Sequence, residues 1–321
     1  MRSMSGSRFF SVQAIASNLS FGARVTELNP AELQEPELRK ALYDLWIQEG
    51  VIVFDGLDGP DVQLELSSIF GRCIMHPAKE SNEGAQAGLI NVKFDPADGW
   101  LVRVDGEPRG QWLPWHSDLI YVDKINHGGL LRPISLPSRL GQTAFADKIA
   151  AYELLPDRLK QKIEGLHVRY HYDLDMSRQE FGRRAEVEII RFSDQAARII
   201  ARKDEFPIVL HPMVFTQEET GRKVLNVSPW FATGIKELPG DEGSELLEEI
   251  IGYSLEPRVI YEHNWKMNQM VLWDNWRVLH SAAGAPADEI RFLQRTTIDG
   301  DYGLGSLEDG SVENPNEYIS V

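Results

Sequence analysis

Cysteine is nearly absent from this sequence, because Cys73 is the only one among 321 residues. A single thiol cannot form a disulfide within the chain, which suits a reducing compartment. Long apolar runs are also missing. No stretch approaches the roughly 18 apolar residues of a membrane-spanning helix, and the N-terminus lacks the apolar segment of a secretory signal. We therefore expect a soluble, cytoplasmic protein without a membrane partner.

Positive charge is scarce as well. The chain has 33 Lys and Arg residues against 49 Asp and Glu residues, which gives a formal net charge of −16. Nucleic acid and anionic membranes are bound by basic surfaces, so neither is expected as a partner. An anionic ligand must instead be held by a few local Arg, Lys or His residues. We expect a small-molecule substrate, and we expect the chain to form a homo-oligomer.

Short β-rich segments follow one another from about residue 88, including GLINVKF, DLIYV, GQTAFA, QMVLWD and IRFLQRTTI. Many short strands at this spacing predict an antiparallel sandwich or barrel. Helical patterns flank and interrupt the strands, notably near 148–164, where Asp147 is a predicted N-cap, and near 241–252. The prediction is a mainly β fold with flanking helices, formed by one domain over residues 1–321.

Three stretches stand apart from the predicted core. Residues 173–206 are charged and irregular. With residues 77–114, they are predicted as possible insertions that form a lid or part of a pocket. The C-terminal stretch 301–321 is acidic, with Gly, Pro and Asn, and is predicted to be a loose surface tail.

The segment WHSDLIYV (115–122) places His116 two residues before Asp118. On a strand, this spacing directs both side chains to one face, where they could bind one metal ion; the alternative is two polar residues that merely alternate on a strand. His280 lies in WDNWRVLHSA, after the predicted strand QMVLWD. Two histidines and one carboxylate would form the facial triad of a non-haem Fe(II) oxygenase, with three positions open for ligands.

The strand RFLQRTTI contains Arg291 and Arg295. Strand alternation directs their guanidinium groups to the same face. Two inward arginines are costly to bury without anions, and a dicarboxylate supplies an anion that arginine binds through two parallel hydrogen bonds.

Taken in order, these motifs resemble the TauD/TfdA (taurine/2,4-D dioxygenase) family of Fe(II)- and 2-oxoglutarate-dependent oxygenases. The resemblance covers most of the chain and is carried by GARVTEL, GVIVF, FGRCIMHP, WHSD, PSRLGQTAFAD, HPMVFTQEETGRKVLNV, WDNWRVLHSA and RFLQRTTI. It implies a double-stranded β-helix (jelly roll) whose metal ligands are His116, Asp118 and His280. It also implies an enzyme that uses Fe(II), 2-oxoglutarate and O₂ to hydroxylate an aliphatic C–H, releasing succinate and CO₂.

The resemblance further implies that Arg291 binds the distal carboxylate of 2-oxoglutarate beside the hydroxyl of Thr143. The positions matching the substrate-anion grip of sulfonate-oxidising relatives are His76 and Arg295. Each residue also has a simpler interpretation. Thr143 could be an ordinary strand threonine, and His76 could cap a turn before Pro77. Arg295 could pair with the C1 carboxylate of 2-oxoglutarate or with a nearby acidic side chain.

Two other functions remain open at the level of sequence. An inactive jelly roll could bind a small acid, or a metal-dependent hydrolase could use the same three ligands with Zn²⁺. Neither alternative consumes 2-oxoglutarate, so turnover that requires 2-oxoglutarate would separate them from the dioxygenase.

Overall fold

The computed structural model describes residues 7–75, 86–201 and 203–311. Its helices are α1 (Pro36–Glu49), α2 (Pro60–Ser67), α3 (Lys148–Leu154), α4 (Asp157–Ile163), α5 (Asp194–Ile200) and α6 (Asp241–Ser254), with short 3₁₀ helices at Pro30–Glu32, Met176–Arg178, Lys203–Glu205 and Pro257–Val259. Within these described ranges, no helix is long and apolar enough to cross a membrane.

Strands account for most of the remaining regular structure. In chain order they are β1 (Ser11–Ala14), β2 (Ala23–Thr26), β3 (Val51–Asp55), β4 (Cys73–Ile74), β5 (Ile90–Phe94), β6 (Leu101–Val104), β7 (Glu107–Gly110), β8 (Leu113–His116), β9 (Gly128–Ser135), β10 (Thr143–Asp147), β11 (His167–Tyr170), β12 (Val187–Arg191), β13 (Val209–Pro212), β14 (Val214–Thr216), β15 (Lys223–Leu225), β16 (Ala232–Ile235), β17 (Ile260–His263), β18 (Gln269–Asp274), β19 (Val278–Ala282), β20 (Ala285–Pro286), β21 (Arg291–Ile298) and β22 (Ser306–Leu307).

Two sheets enclose the centre of the molecule. The larger has the order β1-β2-β3-β18-β9-β21-β4, with β5 also paired to β21, and the smaller has the order β17-β10-β19-β8. Every strand pair in them is antiparallel except β2 with β3. Buried side chains from both sheets, including Val271 and Leu293 of the larger and Phe145 and Val278 of the smaller, form one apolar cluster. The sheets therefore face each other, as the predicted jelly roll requires.

Helices cover the outer surfaces of this sandwich. On one side, α1 and α2 pack Leu42, Trp46 and Leu66 against Ile52 and Leu272 of the larger sheet. On the other, α3, α4 and α6 belong to the largest apolar cluster together with β11 and β13. The predicted fold class, mainly β with flanking helices, is confirmed.

The helix predicted at 148–164 is two helices, α3 and α4. Asp147 is the N-cap of α3, as predicted, and its carboxylate accepts a hydrogen bond from the Ala150 amide. Leu155 then adopts an extended conformation, because a residue that precedes proline is disfavoured in the helical region. Pro156 in turn is the N-cap of α4. The helix predicted at 241–252 is present as α6.

The segment DLIYV, predicted as a strand, is a turn. Strand β8 ends at His116, Leu119 has a positive φ of 58°, and the Val122 amide donates to the Leu119 carbonyl. All four residues from Leu119 to Val122 are buried in the largest apolar cluster. Apolar content therefore marked this run as buried, but a short apolar run has no periodicity that would separate a strand from a buried turn.

The tail predicted at 301–321 is described as far as residue 311. In this part, β22 pairs with β13 through Leu307 and Val209, and Glu308 accepts two hydrogen bonds from Arg169. Residues 301–311 are therefore attached to the body of the protein, which differs from the loose tail that was expected.

Candidate active site

The three predicted metal ligands meet between the two sheets. His116 ends β8 and pairs with His280 of the adjacent strand β19. Oδ1 of Asp118 lies 3.6 Å from Nε2 of His116 and 3.6 Å from Nε2 of His280. One ligand atom from each residue lies within 4.8 Å of the others, and all three residues are buried. The two 3.6 Å distances from Asp118 Oδ1 are slightly wider than the ~3 Å expected between neighbouring ligand atoms of an ion bound at about 2.1 Å.

Asp118 reaches this position from the turn rather than from a strand, so the strand alternation inferred from sequence is wrong for this residue. The side-chain amide of Asn275 forms hydrogen bonds with the backbone N–H and the backbone carbonyl of Asp118. Oδ1 of Asn275 accepts a 2.7 Å hydrogen bond from the Asp118 amide, and Nδ2 donates to the Asp118 carbonyl at 2.9 Å. The preceding Ser117 amide donates to the Ser228 hydroxyl. These contacts fix the backbone of a turn that no strand partner stabilises.

A buried lysine supports the same turn. Nζ of Lys148 donates to Ser117 Oγ at 3.2 Å, to Asn226 Oδ1 at 3.3 Å and to the Asn275 carbonyl at 3.5 Å. Burial lowers the pKa of Lys148 to about 7, although Asp274 and Asp147 act in the opposite direction.

The protonation states of the cluster suit a divalent metal. Nδ1 of His116 donates to the Pro114 carbonyl at 2.8 Å, so Nε2 is the ring nitrogen that faces Asp118. Burial, with the nearby His116, lowers the pKa of His280 to about 3, so its imidazole is neutral at physiological pH. Burial alone would raise the pKa of Asp118, but Arg295 and the two imidazoles hold it well below its ordinary value. Two neutral imidazoles and one carboxylate are the donor set of Fe(II) facial triads.

Arg295 lies beside this cluster and contacts a ligand directly. Its Nη1 donates to Oδ2 of Asp118 at 2.9 Å, so the other oxygen, Oδ1, faces the two imidazoles. Nε of Arg295 is buried and has no hydrogen-bond partner among the described residues. The structure thus shows a pair with an acidic side chain, which was the alternative considered from the sequence, and it leaves one buried donor of Arg295 free for another acceptor.

Arg291 and Thr143 face each other across the sandwich. Arg291 is 2% exposed, and its guanidinium donates to the Gly141 carbonyl at 3.3 Å and to Thr143 Oγ1 at 3.5 Å. No Asp or Glu of the described ranges forms an ion pair with it, and burial lowers its pKa to about 10. A buried guanidinium without an anion is costly, so this pair fits a ligand that brings a carboxylate.

A cavity of about 520 Å³ opens beside the ligand cluster and is lined by His116 and Asp118. Its wall is largely aromatic and aliphatic, and includes Trp100, Leu113, Tyr121, Tyr172, Ile199, Trp230 and Phe231, while Lys93, Asp95, Asp98, Gln111, Ser193 and Gln195 add polar groups. The two stretches that were predicted as insertions, 77–114 and 173–206, supply much of this wall. His76, predicted to bind the substrate, lies outside the described residues.

Sequence reasoning missed Trp265 and the individual residues of the cavity wall. Trp265 Nε1 donates to Thr143 Oγ1 at 3.0 Å, because β17 pairs with β10 and brings His263 opposite Thr143. The role of Asn275 in holding the Asp118 turn was not predicted either. No local motif marks these residues, since their roles depend on which strands and loops become neighbours.

The comparison with known families agrees with this geometry. Residues 11–297 match the family described as taurine catabolism dioxygenase TauD, TfdA family. The chain belongs to the TauD/TfdA family. It is 32% identical to the alpha-ketoglutarate-dependent 2,4-dichlorophenoxyacetate dioxygenase of Cupriavidus pinatubonensis, over 84% of this chain and 94% of that protein. It is 29% identical to the (S)-phenoxypropionate/alpha-ketoglutarate-dioxygenase of Sphingobium herbicidovorans, over 88% and 93%.

Solved structures support the fold. A taurine dioxygenase from Burkholderia xenovorans has a TM-score of 0.69 and 20% identity, and the match covers 98% of this chain and 95% of that one. AAD-2 in complex with Mn(II) and N-oxalylglycine has a TM-score of 0.70 and 24% identity, with 92% and 99% covered. The jelly-roll core is therefore confirmed. As a TauD/TfdA member with a His-Asp-His cluster, the protein is a dioxygenase that uses Fe(II), 2-oxoglutarate and O₂.

Proposed function

We propose that this dioxygenase hydroxylates an aliphatic C–H of a small, anionic organic substrate and releases succinate and CO₂. The observation that carries the proposal is the position of Asp118 Oδ1, 3.6 Å from Nε2 of both His116 and His280 and beside a cavity large enough for a small molecule.

In this proposal His116, Asp118 and His280 hold the iron. When bound there, Fe(II) with 2-oxoglutarate and O₂ would supply the oxidising chemistry for hydroxylation of the substrate carbon. The protein fixes where this happens. The hydrogen bond from Arg295 to Oδ2 of Asp118 orients the other oxygen, Oδ1, towards the imidazoles. The Asn275 amide keeps the Asp118 peptide from rotating. Position and exclusion of water are what a protein contributes to cofactor chemistry.

Arg291 and Thr143 bind the distal carboxylate of 2-oxoglutarate in this account. The guanidinium of Arg291 has no anion of its own among the described residues, and Thr143 is 2% exposed. A charge-assisted, two-pronged contact at such a site gives both affinity and orientation. Neither residue would be needed by a hydrolase that used the same three ligands.

The substrate is proposed to occupy the aromatic cavity, with its C–H towards His116 and Asp118. Arg295, through its free Nε, and His76 would bind its carboxylate or sulfonate. Two relatives are named for chlorophenoxy- and phenoxy-substituted acids, which combine an aromatic ring with a carboxylate. An aromatic wall and a nearby guanidinium suit molecules of that general kind.

The test is succinate release from anaerobically prepared Fe(II) enzyme, started with O₂, across a panel of small carboxylic and sulfonic acids. We expect succinate and a hydroxylated acid in equal amounts for at least one member. Acid conversion that continues without 2-oxoglutarate would favour a hydrolase. Binding of the acid with no succinate in any condition would favour a binding protein.

A further inference from the structure

The hydroxyl of Thr143 is held by a residue with no assigned function, Trp265. The indole Nε1 has only a hydrogen to give, and Thr143 Oγ1 accepts it at 3.0 Å. A second donor, Nη2 of Arg291, lies 3.5 Å from the same oxygen. A hydroxyl has two lone pairs and one proton. With donors on both lone pairs, the proton of Thr143 is directed away from Trp265 and Arg291.

That proton has no acceptor within the described part of the chain, because both hydrogen bonds recorded for Oγ1 are bonds that it accepts. Thr143 is buried, so water does not readily replace the missing partner. The neighbouring guanidinium of Arg291 also lacks an anion. A single carboxylate placed beside both groups would satisfy the hydroxyl proton and the positive charge together.

We propose that Trp265 is a positioning residue for 2-oxoglutarate, which fixes the Thr143 hydroxyl as a hydrogen-bond donor to the co-substrate carboxylate. The inference rests on the proposed function of Thr143 and Arg291. Without the indole N–H, the Thr143 hydroxyl can rotate and offer a lone pair to the carboxylate, which is repulsive. The chain from indole to hydroxyl to carboxylate is also cooperative, because each hydrogen bond polarises the next.

The indole is itself held in place. His263 packs edge-to-face against it, with ring centroids 4.6 Å apart and an interplanar angle of 89°. Nδ1 of His263 contacts the Tyr261 hydroxyl at 3.0 Å. Burial, and then Arg24, lower the pKa of His263 to about 4. A neutral, buried ring therefore buttresses the indole, which is what a fixed donor requires.

The test is calorimetric binding of N-oxalylglycine, a non-reacting 2-oxoglutarate analogue, to the Mn(II)-loaded protein, so that no turnover is needed. Trp265→Phe keeps an aromatic ring and removes the N–H. We expect binding to weaken about threefold to tenfold, the range of one neutral hydrogen bond, with the Mn(II) affinity unchanged. Replacing Trp265 with benzothienylalanine, which has sulfur in place of N–H, keeps the bicyclic shape and should give the same loss.

The matched control is Trp46→Phe. Trp46 is fully buried, and its Nε1 has no hydrogen-bond partner among the described residues, so this change alters packing without removing a hydrogen bond. N-oxalylglycine should bind this variant as it binds the wild type. A loss as large as that of Trp265→Phe would overturn the inference.

A double-mutant cycle separates positioning from general packing. If Trp265 acts through the Thr143 hydroxyl, Trp265→Phe should have no further effect in a Thr143→Val background. The same fold-loss in both backgrounds would overturn the inference, as would unchanged binding in the single variant. A wild-type protein that binds Mn(II) but no N-oxalylglycine would overturn the proposed function as well, so the two failures are distinguishable.

Discussion

The proposed co-substrate end of the active site and its proposed substrate end are built from different kinds of structure. Thr143, His280 and Arg291 each lie on a strand with partners on both sides: β10, β19 and β21. The cavity wall around Trp100 and Gln195 comes from a loop, short strands and the seven-residue helix α5. Paired strands hold groups rigidly for a constant chemistry, whereas loops tolerate the changes that alter which substrate fits.

The two ends also differ in whether their cationic side chains are paired with anions of the protein. At the co-substrate end, Arg291 has no protein anion in the described ranges, and so it is ready for a ligand. At the substrate end, Arg295 already donates to Asp118, and Lys93 donates to Asp95. One end is therefore electrostatically open, while the other is largely satisfied by the protein itself. The co-substrate should be bound more strongly by charge than the prime substrate.

The largest effect should come from the proposed metal ligands, which both ends share. Asp118→Ala and His280→Ala should each reduce Fe(II)-dependent activity at least about a hundredfold, since even partners of metal ligands cost about tenfold to a hundredfold when lost. Metal binding and succinate release are the measurements. His167→Ala, which changes a surface histidine paired with Glu237, should keep both. Full activity in either ligand variant at matched iron would contradict the assignment.

The next effect tests the co-substrate end. Arg291→Lys keeps the charge but loses the planar, two-pronged geometry, so the KM for 2-oxoglutarate should rise roughly tenfold or more, as for a charged hydrogen bond worth about 1.5–3 kcal/mol. Arg132→Lys is the control, because Arg132 is a buried arginine whose anion, Asp58, is in the protein. A rise in the prime-substrate KM alone would mean that Arg291 and Arg295 exchange roles.

Arg295→Ala tests whether Arg295 binds an anionic group of the substrate. The variant leaves Oδ2 of Asp118 without its donor, so metal affinity should fall about tenfold. At saturating Fe(II), an acid and its methyl ester should then be turned over with similar kcat/KM, whereas the wild type should prefer the acid by about tenfold, as for one charged hydrogen bond. Equal kcat/KM for acid and ester in the wild type would contradict the binding of a substrate anion by Arg295. It would leave the proposed iron ligands unaffected.

The smallest effect concerns the cavity wall. Ile199→Ala enlarges the cavity on the α5 side and should change kcat/KM for the prime substrate by about threefold to tenfold, because a hydrophobic pocket discriminates weakly against missing methylene groups. The KM for 2-oxoglutarate should stay the same. If both constants moved together, the two ends would not be independent, and the structural distinction between them would have no kinetic counterpart.

The difference between paired strands and loops also explains which parts of the site could be predicted from the sequence. His116 lies beside His280, and Thr143 lies beside Arg291, as the family resemblance implied. Spacing along a single strand could not have shown this, because each pair joins residues of different strands. Asp118 lies at the predicted place, but on a turn rather than on a strand. The Asn275 amide, from a distant part of the chain, holds this turn through two hydrogen bonds to Asp118. Apolar content alone could not separate that buried turn from a strand.

The remaining elements were beyond sequence reasoning for physical reasons. The hydrogen bond from Trp265 requires the register of β17 on β10, and local patterns in one sequence do not reveal which strands pair. The cavity wall requires α5 and the loop at Trp100 to line the same space, and loops lack the periodicity that makes strands recognisable. The break at Pro156 was readable in principle, since proline disfavours a helical residue before it.

The most direct test of the site is a crystal structure of the protein with Mn(II) and N-oxalylglycine. We expect the metal to lie on Nε2 of His116, Oδ1 of Asp118 and Nε2 of His280. We also expect the distal carboxylate of N-oxalylglycine to bind Arg291 and the Thr143 hydroxyl, with Trp265 still donating to Thr143. A metal bound away from these three atoms, or a distal carboxylate held by Arg295 instead of Arg291, would contradict this assignment of the site.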